Sequence, residues 1–259
     1  MENLVMRPQL LIKGVPFFIF VRGIPSFLRD YREIRRQAKQ SGMGFPFGKF
    51  YPCIEDKHQK SGTASGHYFH QDLLVANKIF MNKPGKHVDI GSRIDGFVAH
   101  VASFREIEVF DIREFTERIQ NIYFKRLDIM DGSTVSHEYC DSISCLHALE
   151  HFGLGRYGDR VDYNGHILGW ENIHKMLEKG GKCYFSVPIG KQRIEFNAHR
   201  VFSVEYLMNV MIGSRYKVDS FSYVNDSGDL VKDAVLDERS LKNSFYCNYG
   251  CGIFELSKI

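Results

Sequence analysis

From Lys86 onward, short apolar runs alternate with longer stretches of helical periodicity. KHVDIG (86–91), EIEVFDIR (106–113), NIYFKRLDI (121–129), YCDSISCL (139–146) and KCYFSVPIG (182–190) read as five strands. Between them DGFVAHVASF (95–104) and ILGWENIHKMLEKGG (167–181) read as helices, the second ending at its double glycine with Lys175 and Lys179 near the C-terminus. VFSVEYLMNVMIG (201–213) adds a helix, and YKVDSFSYVND (216–226) and SFYCNYGCGIFELSKI (244–259) add two strands. No clear helix separates those last two, which predicts an antiparallel hairpin at the sheet edge. Strand and helix in alternation predict an α/β fold with a doubly wound, mainly parallel sheet covered on both faces.

Residues 1–85 carry a different pattern. The apolar run 10–21 is interrupted by Lys13, Gly14 and Pro16, so it is too short and too broken to span a bilayer. Residues 26–40 place Phe27, Leu28, Tyr31, Ile34 and Ala38 on one helical stripe, ringed by Arg29, Arg32, Arg35, Arg36 and Lys39. Such a basic amphipathic helix either docks on the body of the protein or meets an anionic membrane surface. A glycine-rich, aromatic loop follows at 41–66, then a helix at 67–80 closed by the NKPGK turn. The expected division is a helical and loop extension, 1–85, packing on a core domain, 86–259.

Composition narrows the class. Of 259 residues 44% are apolar and 25% charged, with 34 basic against 31 acidic side chains, enough apolar content for a compact core. A net charge of +3 is a poor fit to a nucleic-acid partner. The six cysteines form no CxxC pair and no cleavable signal peptide is in view, so reduced, buried thiols in a cytoplasmic protein are expected, in reach of the inner membrane face through the basic helix.

Ligands of a doubly wound sheet bind beyond the carboxyl ends of its strands. The first strand ends in VDIGSRIDGF, where Asp89 precedes Gly91 and the GxGxxG dinucleotide fingerprint fails, disfavouring a nicotinamide enzyme. The second ends at Asp111, suited to both hydroxyls of a ribose, and the third at Asp128 and Ile129, suited to the amine and ring of adenine. One strand-end Asp is easily a cap; three at consecutive strand ends are harder to dismiss.

HVDIGSRIDGF, VFDIRE, LDIMDGS, DSISCLHALEHFGLGRYGD and HKMLEKGGKCYFSVPIG, in that order, resemble the motif series of class I S-adenosylmethionine-dependent methyltransferases over 86–259. The resemblance implies a Rossmann-like seven-stranded sheet whose last strand is antiparallel and lies between strands five and six. It implies S-adenosylmethionine as cofactor, with Asp89, Gly91 and Ser92 near its methionine part, Asp111 at the ribose, Asp128 and Ile129 at the adenine, and Cys145 nearby. Arg93 or a neighbour stands where the family has a second glycine. More narrowly, HYFHQDLLVANKIF, VDIGSRIDGF and LEHFGLGRYGD look like an uncharacterised methyltransferase-like family linked to surface polysaccharide or sugar modification.

In that fold the residues after strand four face the methyl donor, making His151, His147 and Glu150 the acid-base candidates. Methyl transfer to an alcohol requires in-line alignment and removal of a hydroxyl proton, a task for a histidine. His147 and His151, four apart, equally suit packing or capping. An HxxxH pair also binds metals, but no third ligand is evident and no metal is assigned. Arg156, Tyr157 and Asp159 read as a substrate loop or as an ordinary connection. His70, with neighbours on the 67–80 helix, either closes the site from above or faces water. The expected function is O-methylation of a sugar hydroxyl in a surface polysaccharide or its precursor; the alternative is a methyltransferase-fold scaffold without catalysis.

Overall fold

The computed structural model describes residues 17–42, 44–54 and 56–259, with side chains from residue 22 onward. By contacts the chain divides into two compact units at Thr63/Ala64. In the first, helix α1 (Phe17–Ser41) contains the predicted basic amphipathic segment. Residues 10–16 of the interrupted apolar run lie outside the described residues. The aromatic loop covers part of the stripe: Phe50 meets Phe27 and Tyr31 edge-on, with ring centroids 5.2 and 5.0 Å apart, and Phe47 meets Tyr31 at 5.9 Å. No described helix is long and apolar enough to cross a membrane.

The second unit begins with α2 (His67–Asn82), which the NKPGK turn stops through a left-handed Lys83 whose N–H bonds the Ile79 carbonyl. Then follow β1 (His87–Ile90), a wide turn and short helix α3 (Ala99–Ala102), β2 (Ile107–Asp111), β3 (Ile122–Arg126) and β4 (Cys140–Leu146). Next come α4 (Gly165–Met176), β5 (Leu177–Ile189), and a hairpin of β6 (Arg193–Glu195) and β7 (His199–Val201). The chain ends with α5 (Val204–Tyr206) and the irregular helix after it, β8 (Tyr216–Val224), β9 (Leu230–Val231), α6 (Glu238–Lys242) and β10 (Gly250–Lys258).

The strand order is β3-β2-β1-β4-β5-β10-β8-β9. Strands β1 to β5 pair in parallel and β10 is antiparallel to both neighbours. The expected Rossmann-like, mainly parallel sheet with an antiparallel last strand is therefore present, the two-residue β9 extending its seven strands. The predicted antiparallel pair is present as β8 with β10, at the end of the sheet that only two-residue β9 extends, and the final strand is its inner member as the resemblance implies. The final strand inserts between β5 and β8, where both its faces are covered: Phe254 joins Trp170, Phe185 and Phe221 on one side, while Ile253 joins Val75, Ile79, Phe97 and Tyr184 on the other.

Helix α4 ends at Met176, four residues before the first glycine of the pair. Leu177 turns extended and pairs with Cys140 instead. A tertiary cap explains this: the Lys258 ammonium, 84 residues away in sequence, donates to the carbonyls of His174 and Leu177 at 2.8 and 2.5 Å. The helix stays docked through Trp170, which is fully buried against Phe185 and donates its indole N–H to Met211 O at 2.7 Å.

Candidate active site

A cleft of about 770 Å³ opens where the chain leaves β1, β2, β3 and β4, walled on the far side by α2, the β6–β7 hairpin and Tyr249. Gly91 makes its floor possible. Its φ is +77°, and a Cβ there would lie 2.9 Å from that of Ala148, so a side chain would meet both strain and a clash.

The carboxylates at the β1–β2 end are engaged by the protein. Asp89 is fully buried beneath the cleft rather than on its wall; it accepts from Ser144 Oγ at 2.5 Å, Ser92 Oγ at 2.9 Å and Ser92 N at 3.0 Å. Burial pushes its pKa up to about 7 against those hydrogen bonds. Asp111 and Ser92 are on the wall. Asp111 accepts from the Arg113 guanidinium at 2.5 and 3.0 Å and from its N–H at 2.8 Å. That guanidinium also lies 4.7 Å from the centre of the Tyr157 ring. Asp128, Ile129 and Met130 line the next part, one Asp128 oxygen being taken by Met130 N–H at 2.9 Å. Cys145 is fully buried and, like Asp89, is not a wall residue.

The β4 end is different. His147 sits at φ +48°, its N–H donating to Ser186 O at 3.0 Å and its Nδ1 2.7 Å from Glu150 Oε1. Burial opposes protonation of His147, but the Cys251 sulfur and the Glu150 carboxylate outweigh it and hold its pKa well above that of ordinary imidazole. Glu150 is likewise buried, and the His147 charge pulls its pKa down despite that burial. The two form an internal ion pair. His151 keeps a different state: burial lowers its pKa in spite of Glu150, and its Nδ1 is 2.7 Å from the Ala198 carbonyl. Nδ1 therefore carries the proton, and Nε2, 3.7 Å from Glu150 Oε1, is the basic nitrogen.

All three acid-base candidates line the cleft, as do Arg156, Tyr157 and Asp159. Asp159 organises its own loop, accepting from the backbone N–H groups of Gly153, Gly155 and Tyr157 at 2.8 to 3.1 Å. Arg156 shares the Ala198 carbonyl with His151 at 2.8 Å. His70 is not among the wall residues; α2 presents Tyr68, Gln71 and Asp72 instead. Gln71 binds Ser186 Oγ at 2.5 Å and Asp72 at 3.0 Å, and burial raises the Asp72 pKa.

Sequence reasoning missed Arg113, Tyr249 and Arg200, whereas Asp72 belongs to the polar cluster of the 67–80 helix that it singled out. Arg200, buried on β7, donates to Phe152 O at 2.6 Å and Tyr163 O at 3.0 Å and so ties the segment after β4 to the loop that leads into α4. No spacing signal marks it. Arg113 was legible as a cation two residues after a strand-end acid.

Comparison with known proteins places the fold. The [4+2]-cyclase SpnF superposes with a TM-score of 0.51 at 11% identity, over 73% of this chain and 80% of that one. The N-methyltransferase NodS from Bradyrhizobium japonicum WM9, in complex with S-adenosyl-L-homocysteine, gives 0.49 at 14% over 74% and 88%. An S-adenosylmethionine-dependent methyltransferase from Mesorhizobium loti gives 0.48 at 12% over 72% and 97%. No curated protein matches the sequence. A family model does: it covers residues 94–246, more than half of the chain and most of the cleft, and the chain accordingly belongs to the family described as Caenorhabditis protein of unknown function, DUF268.

Proposed function

We propose that this protein is an S-adenosylmethionine-dependent methyltransferase acting on a hydroxyl, most suitably that of a sugar in a surface polysaccharide or its precursor. The observation carrying this reading is the pairing, in one cleft, of the Gly91 bend and strand-end acids with a neutral histidine whose Nε2 is basic.

The residues fit the cofactor in shape. The cleft is within the size range of small-molecule sites. Its wall holds the buried carboxylates of Asp72, Asp111 and Glu150, of which Asp111 is paired with Arg113 and Glu150 with His147. Gly91 and Ser92 would hold the methionine part, Asp111 the ribose hydroxyls in competition with Arg113, and Ile129 with Leu127 the adenine ring. When bound, the cofactor supplies an electrophilic methyl group on a sulfonium.

The chain's own work is to orient the acceptor and take its proton. His151 takes it at Nε2; the Ala198 carbonyl on Nδ1–H fixes the tautomer, and Glu150 stabilises the imidazolium that results. Tyr157, Arg156, Tyr249 and His199 give the mouth aromatic faces beside polar groups, the surface a sugar ring requires.

Isothermal titration of S-adenosylhomocysteine into the full chain tests the cofactor, with saturable binding expected; absence of binding by folded protein overturns the reading. Labelled-methyl transfer to free and nucleotide-linked sugars then tests the acceptor. One arrangement favours the second reading, a scaffold without catalysis: Arg113 already fills Asp111. Cofactor binding with no transfer to any hydroxyl acceptor would select it.

A further inference from the structure

We infer that His67, His147 and Cys251 form a binding site for a divalent zinc-type cation at the cleft wall, bordered by His147 and separate from the His151 Nε2 that takes the acceptor's proton. Their ligand atoms, imidazole nitrogens and a thiol sulfur, all lie within 4.8 Å of one another. A tetrahedral ion held by such a set needs separations of about 3.4 to 3.6 Å. Metal entry would draw the three side chains together by rotation to close that gap.

Several observations point to a ligand here rather than to chance proximity. Nε2 of His147 is buried and has no hydrogen-bond partner among the described residues, an arrangement that ordinarily costs stability. Its other nitrogen is held by Glu150 at 2.7 Å, the carboxylate–histidine pairing that orients a ligating imidazole and raises its basicity. The His147 backbone is itself in the left-handed region, which a non-glycine residue occupies only when its surroundings impose it. The His67 ring stacks on that of His147 at 5.2 Å and on Tyr249 at 5.4 Å.

The segments carrying His67 and Cys251 are anchored by hydrogen bonds to their backbone groups, as His147 is by its own N–H to Ser186 O. Gly66 N–H bonds Gly228 O at 2.9 Å and anchors the start of α2, which carries His67. Asp226 accepts from the N–H groups of Asn248 and Tyr249 at 2.8 Å each and anchors the start of β10, which carries Cys251. Donor chemistry selects the ion: two imidazoles and one thiolate suit zinc and not magnesium or calcium. A divalent charge balances the Cys251 thiolate together with the Glu150 carboxylate. Cys251 and His147 bind through lone pairs, so the protons on Sγ and Nε2 leave to solvent as the metal enters. With three protein ligands, water completes the shell.

The test uses the full chain, stripped with chelator and titrated with Co²⁺, then Zn²⁺. Expected are visible ligand-field bands and a thiolate-to-cobalt charge-transfer band saturating at an equimolar amount, loss of both on adding Zn²⁺, and proton release on metal entry. Cys251→Ser removes the charge-transfer band and His67→Gln weakens Zn²⁺ by roughly tenfold or more; Cys53→Ser, which changes the exposed thiol, leaves both unchanged. Circular dichroism verifies that each variant is folded. Failure of the folded wild-type chain to take up Co²⁺, or a Cys251→Ser spectrum identical to wild type, overturns the site. Neither result bears on S-adenosylhomocysteine binding, which is measured separately.

Discussion

At the β1–β2 end of the cleft the acidic side chains are already satisfied by the protein: Asp89 by two serines beneath the floor, Asp111 by Arg113 on the wall. At the β4 end, by contrast, histidine nitrogens are left over. The His151 Nε2 has only a like-natured acceptor, Glu150, nearby, and the His147 Nε2 has the Cys251 sulfur near it but no hydrogen-bond partner among the described residues. An acid held by fixed partners presents a settled hydrogen-bonding shape, whereas an unsatisfied imidazole nitrogen in a buried wall costs stability unless a ligand or proton uses it. In the proposed reading the first end serves recognition and the second chemistry.

The largest way to break this contrast is at His151. His151→Ala should lower methyl transfer by about 10²–10⁴ with whichever acceptor the wild-type chain uses, while leaving S-adenosylhomocysteine affinity unchanged. An equal fall in both would mean that His151 belongs to the recognition end. A pH series on Asp89→Asn comes next. The folded pKa of Asp89 is raised to about 7 from an ordinary 3.8, so the folded chain binds a proton that the unfolded chain has lost between those values. That contribution is full below pH 3.8 and declines as pH rises through 7. It amounts to about 4 kcal/mol. Denaturant melts should show Asp89→Asn gaining on wild type across that interval. A constant difference would place an ionised Asp89 in the fold. The depressed pKa of about 4 at His67 acts with the opposite sign, its contribution being lost as pH falls, so the comparison with the variant and not the raw wild-type profile isolates Asp89.

Smaller effects sharpen the recognition end. Asp111→Asn should weaken S-adenosylhomocysteine by about 1.5 to 3 kcal/mol, read by titration calorimetry, through loss of charge-assisted hydrogen bonds to the ribose. Arg113→Ala releases the same carboxylate and should strengthen binding by at most about tenfold, with a loss of folding stability under about 1 kcal/mol because the guanidinium is half exposed. If Arg113→Ala instead weakens binding, the arginine is itself a ligand contact.

Much of the fold was legible because it is local. Four-residue β1 has every side chain buried, and α2 buries Val75, Ala76 and Ile79 at helical spacing. The β6–β7 hairpin escaped detection because three-residue strands show no periodicity, yet it brings Ala198 to His151. For the site, the strand-end positions of Asp111 and Asp128 were readable, as was the group His147, Glu150 and His151. Which of them stays free was not. His70 and Gln71 are adjacent, but only the rotation of α2 on the sheet decides that Gln71 faces Ser186.

By itself the sequence determined the order of strands and helices, the glycine bend at Gly91 and the acids at consecutive strand ends. Those depend on backbone preference and on side-chain spacing over one element. The tertiary structure alone decided that Lys258 rather than a glycine stops α4, that Asp89 lies under the floor, and that His67, His147 and Cys251 converge. Each of those is a contact between residues tens to hundreds of positions apart, set by which buried polar group finds a partner once the sheet has closed, and no local pattern encodes such a pairing.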